Sequence, residues 1–459
     1  MKTKLLLLVL ALFTSTSAAN YPAPREADYL IKDFAFGSGE RLPELRIHYR
    51  TLGEPQRDAQ GHVTNAILIL HSTGGSSEQF LNDRFAAVLF NPGQLLDSTK
   101  YFIIIPDSIG HGKSTKPSDG LHARFPHYRY ADMVRAQHQL VTDHLKIDHL
   151  RLVIGMSMGC MHAWLWAEDY PSMMDGTIPL AGLPAEIAGR NRMWRKTAHD
   201  AITLDPEYAG GDYKKQPRGV ATAYQILALV GSNPVERQRQ YPTGPTAEKY
   251  MDEVAQLPRH EDGNDLAYAL DSSLGYDPRP RLSSIQAPLL AINFADDLIN
   301  PPELGILESA IKEVPNGRAI LVPAGPNTHG HGTHTYAEVW KEHLQQFLQQ
   351  TSPPGVFHVS KTAADTSPWV YQPDPPYTES ARKARVEGTV VLWASIAVDG
   401  TVKDLGVQRS LRPDLDESAV NTVKTWRFKP AMKNGMAVPV RINIEVNFKL
   451  YDDPQPKSH

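Results

Sequence analysis

Short apolar runs recur along the first three-quarters of the chain. They are Ala66-Ile67-Leu68-Ile69-Leu70, Tyr101-Phe102-Ile103-Ile104-Ile105, Leu150 to Ile154 and Pro288 to Phe294, and a further strand is expected at Ala319 to Val322. Runs without polar alternation mark strands buried on both faces. Between them, Tyr130 to Leu145 and Gly159 to Tyr170 carry helical patterns. Such alternation predicts a mostly parallel sheet with helices on both faces. Residues 184–280 interrupt the rhythm with Pro, Gly, Asp and Tyr-rich stretches, and predict a helical lid inserted between strands.

The pattern changes after Gln350. Residues 351–375 contain Ser352-Pro353-Pro354-Gly355 and end in a second proline cluster, which reads as an extended linker. Residues 376–451 then predict a small α+β module of order β-β-α-β. Val390, Leu392, Ala394, Ile396 and Val398 alternate along Thr389 to Val398, and Asp399-Gly400 supplies a tight turn. Leu415 to Trp426 predicts a helix capped by Asp414 or Asp416, and Val440 to Leu450 alternates as a half-buried strand. Residues 452–459 remain as a tail. Trp426 and Phe428 are expected in the core of this module.

Composition adds bounds. The 459 residues are 41% hydrophobic and 21% charged, with a net charge of −4, so nothing suggests a nucleic-acid surface. Residues 1–19 have Lys2 and Lys4, an apolar run from Leu5 to Phe13 and a small polar stretch from Ser15 to Ala19. That is the sequence physics of a cleaved signal peptide. Export is therefore expected, with the periplasm as destination; an uncleaved inner-membrane anchor is the alternative. Cys160 is the one cysteine, which rules out an internal disulfide and is expected to be a small buried thiol.

Candidate chemistry centres on Gly155-Met156-Ser157-Met158-Gly159. The strand pattern runs directly into it and a helix pattern leaves it, so Ser157 is expected on a sharp turn with its hydroxyl presented for attack. A nucleophilic serine needs a base, and the base an orienting acid. Asp296 is the expected acid, at the end of the strand pattern 288–294, with Asp297 as the alternative. His331, flanked by glycines before the final helix, is the expected base; His329 and His334 are expected to be solvated or supporting. The oxyanion hole is expected from the N–H groups of Met158 and Thr73, the latter in His71-Ser72-Thr73-Gly74-Gly75.

Three other patterns fail on chemistry. Gly112-Lys113-Ser114 lacks the upstream glycine of a phosphate-binding loop, because Asp107 stands there. A subtilisin-like protease would carry its histidine before the serine. The histidines at 329, 331 and 334 match no helical His-Glu-x-x-His zinc site, so no metal is expected.

These motifs resemble the homoserine O-acetyltransferase-like branch of the α/β-hydrolase fold over residues 28–349. The likeness is carried by His71 to Gly75, Asp107 to Ser114, Phe125-Pro126, Gly155 to Gly159, Trp166-Ala167, Tyr170-Pro171, Asp205-Pro206, Gly211-Asp212-Tyr213, Asp296 to Pro301 and Gly330-His331. It implies the triad Ser157, Asp296 and His331. It also implies a substrate-binding position at Tyr224, where the acetyltransferases carry an arginine for the substrate carboxylate. Tyrosine offers no such charged fork. The tail, from Pro376-Tyr377 through Trp426-Arg427-Phe428-Lys429-Pro430 to Asn434-Gly435, resembles the C-terminal domain of TonB energy transducers. That likeness implies docking to an outer-membrane receptor or another envelope protein by strand addition.

The expected function is an exported serine esterase acting on a small acyl ester or thioester, with no cofactor. An O-acyltransferase drawing on acetyl-CoA is the first alternative, and a non-catalytic receptor-binding protein the second.

Overall fold

Buried strands without alternation dominate the first part of the chain, and they assemble as their pattern demands. A computed structural model describes residues 20–58, 61–257, 261–351, 357–358, 369–371, 373, 375–433 and 436–448. The expected signal peptide lies outside the described residues. The chain divides into two compact units with the boundary at Glu342/His343.

The first unit is built on an eight-stranded sheet of order β1-β2-β4-β3-β5-β6-β7-β8. Its strands are β1 (Arg25–Ala35), β2 (Arg41–Leu52), β3 (Ala66–Leu70), β4 (Phe102–Pro106), β5 (Leu152–Met156), β6 (Thr177–Leu180), β7 (Leu289–Phe294) and β8 (Gly317–Val322). The pairs β1–β2 and β2–β4 are antiparallel, and every later pair is parallel. Every residue of β3, β4, β5 and β7 is buried, which is why these strands read as unbroken apolar runs. The short β6 is buried throughout as well, whereas the antiparallel pair β1–β2 and the edge strand β8 depart from that pattern. In β1 most positions are exposed and charged residues interleave with Ile31 and Phe34.

Helix Met158–Asp169 is buried from Met158 to Glu168, with Trp164 and Trp166 fully enclosed. A helix apolar all round belongs inside a core, and this one is packed on β3, β5 and β6. Helix Tyr130–Gln139 continues into a π-helical turn, Leu140–His144, so the expected helix 130–145 changes its winding near the end. Residues 184–280 form the helices Gly189–Thr203, Gly219–Val230, Pro234–Gln240, Gly244–Gln256 and Gly263–Asp271, inserted between β6 and β7. They have an apolar cluster of their own, including Trp194, Ala198, Ile202, Val220 and Leu270.

The second unit is antiparallel for the most part. Strand Gly388–Ile396 pairs with Val402–Arg409 on one side and Val440–Phe448 on the other. Its core faces, Val390, Leu392, Ala394 and Ile396 with Ile444, Val446 and Phe448, close on Leu415, Ala419 and Val423 of helix Pro413–Val423. Trp426 and Phe428 lie in the same core, 2% and 4% exposed. The helix cap differs from expectation: Arg412 takes the cap position and Pro413 the first turn. Asp416 instead reaches back to accept from the Leu411 N–H at 2.9 Å. Within the segment expected as a linker, Phe357–His358 pairs parallel to Val440–Arg441, and Trp369–Tyr371 pairs with Arg427–Phe428. Those residues extend the module rather than merely tether it.

Separate cores predict separate responses. Leu392→Ala should destabilise the second unit by about 2–5 kcal/mol. Hydrogen exchange should accelerate in residues 388–448 and stay unchanged in β3 and β5; equal acceleration in both would show one cooperative core.

Candidate active site

The turn between β5 and helix Met158–Asp169 is forced by close packing. A Cβ at Gly155 would lie 1.8 Å from the Gly159 carbonyl oxygen, and one at Gly159 would lie 2.1 Å from that of Leu70. Only glycine lets strand and helix approach this closely. Between them Ser157 adopts φ 55° and ψ −110°, a conformation that costs a non-glycine residue about 1–3 kcal/mol. Its N–H is tied to the Leu180 carbonyl at 2.9 Å, which holds the strained turn against β6.

That turn directs Ser157 Oγ to His331 Nε2 at 2.8 Å. His331 Nδ1 in turn lies 2.8 Å from Asp297 Oδ2. A carboxylate only accepts, so Nδ1 carries the proton and Nε2 is free to take one from serine. The Asp297 side chain is wholly buried and lies on the turn just after β7. Its Oδ1 accepts from the N–H groups of Ile299 at 2.8 Å and Asn300 at 3.2 Å, and its Oδ2 also accepts from Asn300 Nδ2 at 3.0 Å. Burial opposes the charge, but His331 and these donors outweigh it and hold the carboxyl below its usual range.

Asp296, the acid expected from sequence, is not on the histidine. Its Oδ2 accepts from Asn233 Nδ2 at 2.6 Å and from the Gly330 N–H at 3.0 Å. It therefore joins the lid to the loop that carries His331. The reason for the exchange is local: Asp297 folds its carboxyl back over the Ile299 and Asn300 amides, a turn that only the second aspartate can make with Asn300. The Asp297-x-x-Asn300 spacing was the available signal.

The expected oxyanion donors also have definite places. Met158 is the first residue of its helix, where an N–H has no acceptor within the helix. The Thr73 N–H has no hydrogen bond among the described residues. The two segments adjoin, because the Gly159 N–H donates to the His71 carbonyl at 3.0 Å.

His329 is half-buried, stacked on Tyr336 and 2.9 Å from Glu236 Oε1. His334 is buried, with its Nε2 3.0 Å from Ser72 Oγ. Tyr224 belongs to the lid cluster; its phenol is pushed above its ordinary range by burial and by the neighbouring Glu261 carboxylate. Cys160 is fully buried, and burial pushes its thiol up. Asp107, where a phosphate loop would need glycine, accepts from the Ser77 N–H at 2.5 Å and the Lys113 N–H at 2.8 Å. A carboxylate fills that loop.

Comparison with known proteins bears on the fold and the domains. Residues 65–327 match the alpha/beta hydrolase fold family. The chain belongs to that family. Residues 373–450 match the C-terminal family of the Gram-negative bacterial TonB protein. The chain is 30% identical over 297 residues to a probable acyltransferase of Methanothermobacter thermautotrophicus, covering 64% of this chain and 89% of that one. It is 33% identical over 214 residues to a homoserine O-acetyltransferase of Pasteurella multocida, covering 43% of this chain and 57% of that one. The chain thus spans little more than half the length of that relative. Among solved structures, homoserine O-acetyltransferase from Bacillus anthracis aligns with a TM-score of 0.64 at 22% identity, over 72% of this chain and 100% of that one. The acetyl esterase MekB aligns at 0.61 and 23%, over 71% of this chain and 96% of that one. These two share the fold.

The geometry separates the two aspartates experimentally. Asp297→Asn should lower kcat/KM for a small ester by about a thousandfold or more, because the base loses its orienting charge. Asp296→Asn should cost less than about tenfold. A reversed order of the two losses would assign the acid to Asp296.

Proposed function

We propose that the protein is an exported serine esterase that acts on small acyl esters or thioesters through an acyl-enzyme on Ser157. The hydrogen-bonded chain from Ser157 to His331 to Asp297 is the observation that supports this reading. Ser157 Oγ attacks the acyl carbon as His331 Nε2 takes its proton, and Asp297 balances the imidazolium that forms. The oxyanion is held by the Met158 and Thr73 N–H groups. His331 then passes its proton to the departing alcohol or thiol. Water, deprotonated by the same nitrogen, releases the acid and returns the proton to serine.

Acyl transfer is the second reading, favoured by the likeness to proteins named acyltransferase and homoserine O-acetyltransferase. It would draw on acetyl-CoA as donor. Charge argues against homoserine as acceptor: Tyr224 stands where the family resemblance implies an arginine, and Glu261 sets a carboxylate beside it. Like charge near a substrate carboxylate weakens binding. The start of the chain and the TonB-type domain support a periplasmic site of action. Among the described residues no helix is long and apolar enough to cross a membrane. The second unit is assigned a docking role toward an outer-membrane receptor or another envelope protein, through main-chain pairing at a sheet edge.

Product analysis tests the reaction. With nitrophenyl acetate and a panel of hydroxyl acceptors, free acetate should exceed transferred ester; predominance of ester would establish the transferase. Ser157→Ala should lower turnover by about 10⁴-fold or more. Undiminished hydrolysis by that variant would remove the serine mechanism altogether.

A further inference from the structure

His334 is a buried side chain that the proposed chemistry does not use, yet it stands between two loops that do. Its Nδ1 is 2.5 Å from the carbonyl oxygen of His331. A carbonyl only accepts, so this nitrogen carries the ring proton. Burial, then the nearby His331, lowers the pKa of His334 to about 3, which keeps the ring neutral. Nε2 is therefore an acceptor, and Ser72 Oγ, 3.0 Å away, donates to it.

The chain continues with one consistent direction. Gln79 Nε2 donates to Ser72 Oγ at 3.1 Å, while Gln79 Oε1 accepts from the Ser72 N–H at 3.0 Å. The Ser72 carbonyl accepts from His71 Nδ1 at 2.8 Å and from the Gly75 N–H at 2.9 Å. Every polar atom of Ser72 is thus committed. The consequence falls on its neighbour, because the Ser72 carbonyl and the Thr73 N–H belong to one planar trans peptide and point in opposite directions. Fixing the carbonyl of Ser72 fixes the aim of the Thr73 N–H.

We infer that His334 is a positioning residue: through Ser72 it sets the oxyanion loop, and through the His331 carbonyl the base loop, in one register. The inference deepens the acyl-enzyme reading of Ser157 and rests on it. The side chain touches no reacting atom. Its position follows from the turn Gly332–Thr335, a 3-10 helix whose three-residue period brings residue 334 back over residue 331. The two imidazoles meet edge to face with centroids 5.1 Å apart.

The test uses the full chain and counts competent sites by fluorophosphonate titration, so that unfolded protein does not enter the rate. His334→Phe keeps an aromatic ring and removes both hydrogen bonds; Ser72→Ala cuts the same chain one step earlier. Each should lower kcat for nitrophenyl acetate by about 10- to 100-fold, with KM changed by less than about threefold. The double variant should be no slower than the slower single one, because both cut one chain. Inhibition by a trifluoromethyl ketone, which forms a tetrahedral oxyanion on serine, should weaken by the same factor as kcat/KM. His334→Gln, which can both donate and accept, should recover part of the rate. Single variants within twofold of the parent, or losses that multiply in the double variant, would overturn the inference. If the parent takes no fluorophosphonate and Ser157→Ala hydrolyses normally, the acyl-enzyme reading fails and this inference with it. If Ser157→Ala is inactive and the His334 variants are unimpaired, only the inference fails.

Discussion

The close approach of β5 to the helix that follows it governs the site. With backbone where side chains would ordinarily be, at Gly155 and Gly159, the turn between them has almost no freedom, and Ser157 is driven into a left-handed conformation. The strain is held by the rest of the sheet: Leu180 of β6 accepts from the Ser157 N–H, and Leu70 of β3 lies against Gly159. A hydroxyl presented this way has one direction available to it. The loop after β8 supplies a histidine in that direction, and the turn after β7 supplies the carboxylate behind it. Three strand ends converge because parallel strands deliver their following loops to the same edge.

Much of this architecture was legible in the chain. The runs at 66–70 and 288–294 mark strands because burial on both faces leaves no polar alternation to blur them, whereas 319–322 forms the edge strand β8, with Ala319 and Leu321 exposed. The serine turn was legible because its glycines are required by sterics. Other features depend on the folded neighbourhood. Adjacent aspartates at 296 and 297 look equivalent as letters, and the choice between them rests on which carboxyl the Ile299 and Asn300 amides can reach. From sequence His334 reads as solvated or supporting; the turn at 332–335 and the distant Ser72 decide for the second. The pair β1–β2 was missed because charged residues break up its apolar pattern: those of β1 face water, while in β2 Arg50 is buried and paired with Glu26 and Glu78.

In the proposed function the lid and the second unit bear on selectivity and place rather than on bond breaking. Asp296 accepts from both Asn233 of the lid and Gly330 beside His331, so it ties the lid to the loop that carries His331. Glu261 beside Tyr224 gives the lid a local negative charge, which under the proposed function disfavours a substrate carboxylate there. The C-terminal sheet has its own core and an added strand at 357–358, and residues 373–450 match the TonB C-terminal family. In the proposed arrangement it supplies location, while the hydrolase unit supplies chemistry.

The central claim is that Ser157 carries the acyl group between two half-reactions. Acid quenching of the enzyme during turnover of a slowly deacylating ester, followed by peptide mass analysis, tests it directly. The account predicts a mass increase equal to the acyl group on the peptide containing Ser157, absent when the substrate is omitted. Turnover with no acyl group on that peptide, or with the acyl group on another residue, would contradict it.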